Sequence, residues 1–155
     1  MIEKNKEQIY TMQTIDQVQE EIVDEFAIFD DWMDKYALII EEGNKLEKLD
    51  EVYKTPNNII EGCQSRVWLQ TDYKDGKLYF RAESDAVIVK GLLALVLRVF
   101  SGRTPDEINA AKLFFLEEVG LTEHLSPTRS NGLLAVIKQI RFYAIAYKAK
   151  ENQKS

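Results

Sequence analysis

Two alternating runs joined by an Asp-Gly pair fix the middle of this chain as a β-hairpin, and that hairpin constrains everything around it. From Arg66 to Tyr73, the side chains Val67, Leu69, Thr71 and Tyr73 alternate with Arg66, Trp68, Gln70 and Asp72. Lys74-Asp75-Gly76-Lys77 supplies the turn, and Leu78 to Glu83 returns as the partner strand. Ile59-Ile60, just upstream, is expected to add a short third strand to an antiparallel sheet. Hairpins are marginal in water unless a face is covered, so the neighbouring segments must pack on this one. The next segment is suited to that. Ser84 or Asp85 is expected to cap a helix reaching about Phe100, apolar nearly all round from Val87 and Ile88 through Leu92, Leu93 and Leu95 to Val96. Its valines also suit a strand, but its length favours a central buried helix.

Helical signals occupy both flanks. Thr14 to Phe29 reads as amphipathic, with Thr14 and Gln17 spaced as a capping box and Val18, Ile22, Phe26 and Phe29 on one face. A second helix follows, capped by Asp30 or Asp31, striped by Trp32, Tyr36, Ile39 and Ile40, and expected to stop at Gly43. Asn44 to Asn58, which contains Pro56, reads as an irregular surface stretch. Beyond Gly102, Thr104-Pro105-Asp106-Glu107 is a helix start. Leu113 to Val119 is expected to continue the helical material until Gly120. Ser126-Pro127 opens a last long helix with Leu133, Ile137, Ile140, Ala144 and Tyr147 inward and Lys138, Arg141, Lys148 and Lys150 outward; the tail from Glu151 is expected to fray. The order predicts one α+β domain over 1–155, with its core at about 14–150 and flexible polar ends: two N-terminal helices, a small three-stranded antiparallel sheet, then several helices.

Composition narrows the function. Twenty Lys and Arg stand against 26 Asp and Glu in 155 residues, for a formal net charge of -6. A nucleic-acid binder draws affinity from a basic face, so that class is not expected. Four of the first seven residues are charged with no apolar stretch behind them, and Val87 to Val99 is broken by Lys90 and Arg98. Neither a signal peptide nor a membrane span is expected, which makes a cytoplasmic setting the default. No Gly-rich phosphate loop or metal-ligand spacing is present in the sequence.

One cysteine remains to be explained. A lone thiol closes no internal disulfide and cannot by itself ligate zinc or an iron–sulfur cluster. Cys63 follows Gly62 at the junction of the irregular stretch and the first strand, beside Gln64 and Ser65. Glycine at 62 permits backbone angles that other residues resist, which suits a thiol at a movable tip. Arg66 or Arg129 would add positive potential to a thiol whose ordinary pKa is near 8.5, while Glu61 would oppose it. The plainer reading is a buried cysteine acting as a small hydrophobe. His124, the only histidine, lies in Glu123-His124-Leu125-Ser126-Pro127. It is a candidate base for the thiol, or a helix-end residue with no part in chemistry.

Gly62-Cys63-Gln64-Ser65-Arg66-Val67-Trp68 resembles the signature of the SufE family, the sulfur-acceptor proteins of iron–sulfur cluster assembly. Asn57–Ile60, Ser84–Leu92 and Leu121–Leu133 resemble further family segments in order and spacing, and Trp32 with Tyr36 to Ile40 fits the second helix. The likeness covers about Ile15 to Tyr147. It departs in the extension before Thr14 and in Arg66, where the family often has another polar residue. The resemblance implies that Cys63 accepts persulfide sulfur from a pyridoxal-phosphate cysteine desulfurase, stimulates that enzyme, and passes sulfur toward an iron–sulfur scaffold. It implies no cofactor in this chain, a glycine hinge at Gly62 that lets the thiol be shielded and then extended, and Arg129 near Cys63. Asp85 would lie at the desulfurase-binding surface, unless it serves only as a helix cap. Gln64, Ser65, Arg66 and His124 would be supporting residues. The alternatives are a cluster scaffold of related fold, which one cysteine and one histidine serve poorly, and an interaction domain with an inert cysteine.

Overall fold

The computed structural model describes residues 13–61 and 65–154. Cys63, Gly62 and Gln64 lie outside the described residues, as does the extension before Gln13. Helices α1 (Ile15–Ala27) and α2 (Trp32–Asn44) come first, followed by single 3-10 turns at Glu51–Tyr53 and Pro56–Asn58. Strands β1 (Val67–Lys74) and β2 (Lys77–Ser84) precede α3 (Val87–Phe100), α4 (Pro105–Ala110), α5 (Phe115–Val119), α6 (Leu121–His124) and α7 (Pro127–Lys154). This is the expected α+β architecture.

Short-range chemistry explains most boundaries. The α1 capping box forms as read, with Thr14 Oγ1 accepting from Gln17 N–H and Gln17 Oε1 accepting from Thr14 N–H. Asp31 caps α2 through Met33 N–H, and Thr104 with Glu107 repeats the box at α4. Asp75 and Gly76 both have positive φ, at 52° and 79°, as a two-residue hairpin turn requires.

The antiparallel register runs from Val67↔Ser84 to Lys74↔Lys77. Val67, Leu69, Leu78, Phe80 and Ala82 are buried on one face, and α3 lies against that hairpin with Leu92, Leu93, Leu95 and Val96 in the core. The expected third strand is not formed among the described residues. Ile59 makes a single antiparallel bridge to Trp68, because the 3-10 turn at Pro56–Asn58 uses the residues before it. On the other edge, Leu78 bridges Arg103. Each edge of the hairpin is thus met by a bridge, which shortens the edge left open to other chains.

Gly43 does not end its helix; α2 continues to Asn44. The glycine sits where α2 crosses α3 at backbone contact. A Cβ at Gly43 would lie 2.8 Å from Gly91 N, and one at Gly91 would lie 2.1 Å from the Ile39 carbonyl oxygen. Arg98 of α3 then ties the three helices together. It pairs with Glu25 of α1 through both guanidinium nitrogens, at 3.0 and 2.7 Å, and with Glu42 of α2 at 2.9 Å.

Three other expectations are corrected. Residues 111–114 interrupt the helical material, held by buried Gln19: its Oε1 accepts from Phe114 and Phe115 N–H, and its Nε2 donates to the Lys112 carbonyl. Arg141 turns inward to the Ile108 and Ala111 carbonyls, each at 2.9 Å, rather than facing solvent. Helix α7 runs on to Lys154, with the Tyr73 hydroxyl donating to Glu151, so the helix does not fray at that residue.

The irregular stretch before β1 is tied to the sheet through Glu83. Its carboxylate accepts from Leu49 N–H at 3.1 Å and pairs with Lys54 at 2.5 Å. The Lys54 ammonium holds the Glu83 carboxyl below its ordinary value, with partial burial opposing and the Leu49 N–H assisting. A carboxylate depressed in this way stabilises the fold at neutral pH, and the contribution is lost as pH falls through the lowered folded value. Glu83→Gln is therefore expected to unfold more readily than the parent at pH 7. That gap should close as pH drops below the ordinary value of 4.5. Urea melts across that range check it, and a gap that widens in acid would contradict it.

Candidate functional site

The segment carrying Cys63 is bounded by described residues on both sides, and its stem is pinned twice. Ile60 N–H donates to the Val67 carbonyl at 2.9 Å, extending the contact made by Ile59 and Trp68. On the far side, Arg66 N–H donates to Asp85 Oδ1 at 3.1 Å, and Asp85 N–H returns to the Arg66 carbonyl at 3.4 Å. Six residues, 61 to 66, therefore span a closed stem.

Asp85 does not cap α3. Ala86 holds the cap position without a side-chain bond, and Ser84 Oγ accepts from Ala86 N–H at 3.2 Å. The reason is competition: the Asp85 carboxylate is occupied by the Arg66 amide, so it stabilises the loop stem instead of the helix start. Removing it leaves a backbone N–H without its partner, at a typical cost of about 1 kcal/mol. Asp85→Ala is expected to raise amide exchange at Arg66 while leaving the exchange of α3 residues Leu93 to Val96 unchanged. Faster exchange in α3 instead would restore the capping role.

Beside the stem lies a cavity of ≈ 390 Å³, bounded by the start of β1, by α3 and by the first turns of α7. Buried Leu92, Leu133 and Val136 make its apolar wall. Ser65, Ser126, Thr128 and Arg129 are its polar lining, with Arg129 exposed. The position of Arg129 follows from the helix start: Ser126 Oγ accepts from Arg129 N–H at 3.3 Å, which sets the first turn of α7 at the cavity. A cationic side chain and a helix N-terminus both favour negative charge there.

Of the sequence-predicted residues, Ser65 and Arg129 share this cavity, and Arg66 and Asp85 share the stem. His124 belongs to neither. It stacks on Trp32, with ring centroids 3.8 Å apart and planes inclined by 17°, and its Nδ1 lies 3.0 Å from the Gly120 carbonyl. The sequence places Trp32 only in a helical stripe and gives no sign of this partner, because the two are distant along the chain. Ser126 is visible there only as a helix opener; that it also lines the cavity follows from the packing of α7 against α3. Among the described residues no group of three His, Cys, Asp or Glu could hold a metal ion, and no helix is long and apolar enough to cross a membrane.

Comparisons with known proteins bear on the fold and the family. Over 127 residues the chain is 44% identical to an uncharacterized SufE-like protein of Rhizobium meliloti (strain 1021), covering 79% of this chain and 91% of that one. It is 43% identical to a second uncharacterized SufE-like protein, from Rhizobium etli (strain ATCC 51251 / DSM 11541 / JCM 21823 / NBRC 15573 / CFN 42), over 79% of this chain and 86% of the relative. The solution structure of a hypothetical protein from Thermus thermophilus superposes with a TM-score of 0.69 at 18% identity, across 83% of this chain and 94% of that one. At that identity the likeness speaks for the fold alone. The family model described as SufE, Fe-S metabolism associated domain, matches residues 20–144. With four-fifths of its length matched in this way, the chain belongs to the SufE family and so to the domains associated with Fe–S metabolism.

Proposed function

We propose that this chain is a sulfur acceptor for a cysteine desulfurase, with Cys63 as the accepting thiol. The Cys63 thiolate attacks the terminal sulfur of the persulfide on the desulfurase cysteine. One sulfur–sulfur bond breaks and another forms, leaving Cys63–S–SH and a desulfurase thiolate, with no net oxidation or reduction. In this reading the chain needs no cofactor of its own, pyridoxal phosphate belongs to the desulfurase, and sulfur moves on to an iron–sulfur scaffold.

The observation that carries the reading is the pinned stem beside a cavity bearing Arg129. Ser65, two positions after Cys63 in the sequence, is among the residues lining this cavity. Positive potential there favours thiolate over thiol. The test is desulfurase turnover of free cysteine with and without this protein. Stimulation at stoichiometric amounts supports acceptance. A desulfurase that runs at its own rate, together with an iron-dependent visible absorbance in this protein, would favour the scaffold. No change in either measurement would leave an inert cysteine.

Arg129→Ala is expected to slow sulfur acceptance severalfold, because it removes the positive charge that favours thiolate at the cavity. Its melting temperature should move by no more than about 2 °C, because exposed side chains contribute little to stability. Stopped transfer with a large loss of stability would instead make Arg129 a structural residue.

A further inference from the structure

We propose that His124 is a positioning residue for sulfur acceptance, acting through its stack on Trp32 and not through proton transfer; this rests on the sulfur-acceptor reading above. Four contacts converge on the corner between α6 and α7. The imidazole lies face to face with the Trp32 indole, at 3.8 Å and 17°. A carbonyl only accepts, so the contact between Nδ1 and the Gly120 oxygen at 3.0 Å requires Nδ1 to carry a proton. The Tyr36 hydroxyl donates to the His124 carbonyl at 3.1 Å. Gly120 adopts φ 93°, and a Cβ there would stand 3.1 Å from Trp32 Cζ2, so the indole also packs directly against the turn.

These contacts fix the chain at residues 120–124, immediately before the residues that form the polar side of the cavity. Leu125 is buried, Ser126 caps the first turn of α7, and Arg129 follows one turn later. Trp32 and Tyr36 belong to α2, whose position is itself set by its backbone contact with α3 at Gly91. Beside the direct packing of α7 on α3, a second link to the cavity thus runs from α3 to α2, through the Trp32–His124 stack, to the α6–α7 corner that precedes Arg129. Aromatic stacking supplies this without any change in protonation. His124 is not among the residues lining the cavity.

Two measurements on wild type, His124→Ala and His124→Phe test the proposal. The first is amide exchange over residues 125–130 in the free protein; the second is the rate of sulfur acceptance from a desulfurase already carrying persulfide. Loss of the stack in His124→Ala should speed exchange, and slow acceptance, by up to about tenfold. His124→Phe keeps the stacked ring and loses the Nδ1–H donor. It should stay within about threefold of wild type on both measurements. Wild-type exchange in His124→Ala would overturn the positioning role. Acceptance in His124→Phe as slow as in His124→Ala, with exchange still like wild type, would overturn it in favour of proton transfer. The exchange arm involves no desulfurase. If no variant takes up sulfur yet exchange follows the expected order, the sulfur-acceptor reading fails while the stack's structural effect stands.

Discussion

Cys63→Ser is expected to fold like the parent and to leave desulfurase turnover at the rate the enzyme shows alone. The substitution changes one atom and keeps the size of the side chain, so any effect on packing is small. The chemical difference is large. A serine hydroxyl stays protonated near neutral pH, whereas a thiol near pKa 8.5 already supplies a few per cent thiolate before any help from Arg129. An alcohol also forms no stable analogue of the persulfide, so the loss should be complete rather than partial. Matching circular dichroism and melting temperature establish the fold, and the turnover assay reads the function. A folded Cys63→Ser protein that still stimulates would show that the thiol is not what the desulfurase responds to.

The second large effect concerns stability. Gly91→Ala places a methyl group 2.1 Å from the Ile39 carbonyl oxygen and 2.5 Å from Ile39 Cγ2. Alanine is the better helix former, by about 1 kcal/mol, so propensity alone predicts stabilisation. Packing opposes it and wins. Overpacking typically costs about 1–3 kcal/mol, and here the obstacle is backbone rather than a side chain that rotates aside. The two helices must separate, which also pulls Arg98 away from Glu42. Taking the upper end of that cost, a net loss of about 2 kcal/mol lowers the melting temperature by about 4–8 °C for a chain of this size. Gly43→Ala should follow in the same direction with a smaller shift, since its nearest contact is 2.8 Å. A Gly91→Ala protein that melts with the parent would mean that the α2–α3 crossing tolerates separation.

What the sequence reveals divides along the range of the interactions. The capping boxes at Thr14 and Thr104, the Asp31 cap and the Asp75-Gly76 turn all involve partners within three residues, so spacing alone exposes them. The buried helix α3 is legible for a different reason: a long apolar stretch after a hairpin has few other places to go. Gly43 misleads because its local signal, a helix-stopping glycine, competes with a long-range one, the close approach of Gly91. Asp85 is a similar case, since a capping residue by spacing is captured by an amide 19 positions earlier. The tail near Glu151 reads as polar and free, yet it meets Tyr73 across 78 positions. The same limit applies to the site. Cys63 and Gly62 stand out by residue type, and Arg129 by family resemblance. The sharing of one cavity by Ser65, Ser126 and Arg129, and the partnership of His124 with Trp32, depend on the packing of α7 and α2, which no local pattern encodes.

The central claim is that sulfur moves covalently onto Cys63. The most direct test mixes a desulfurase carrying persulfide, freed of excess cysteine, with this protein for a single turnover, followed by alkylation and peptide mass analysis. The claim predicts one additional sulfur on the peptide containing Cys63, matched by its loss from the desulfurase cysteine and absent in Cys63→Ser. Sulfur retained on the desulfurase, with the Cys63 peptide recovered as an unmodified thiol, would contradict it.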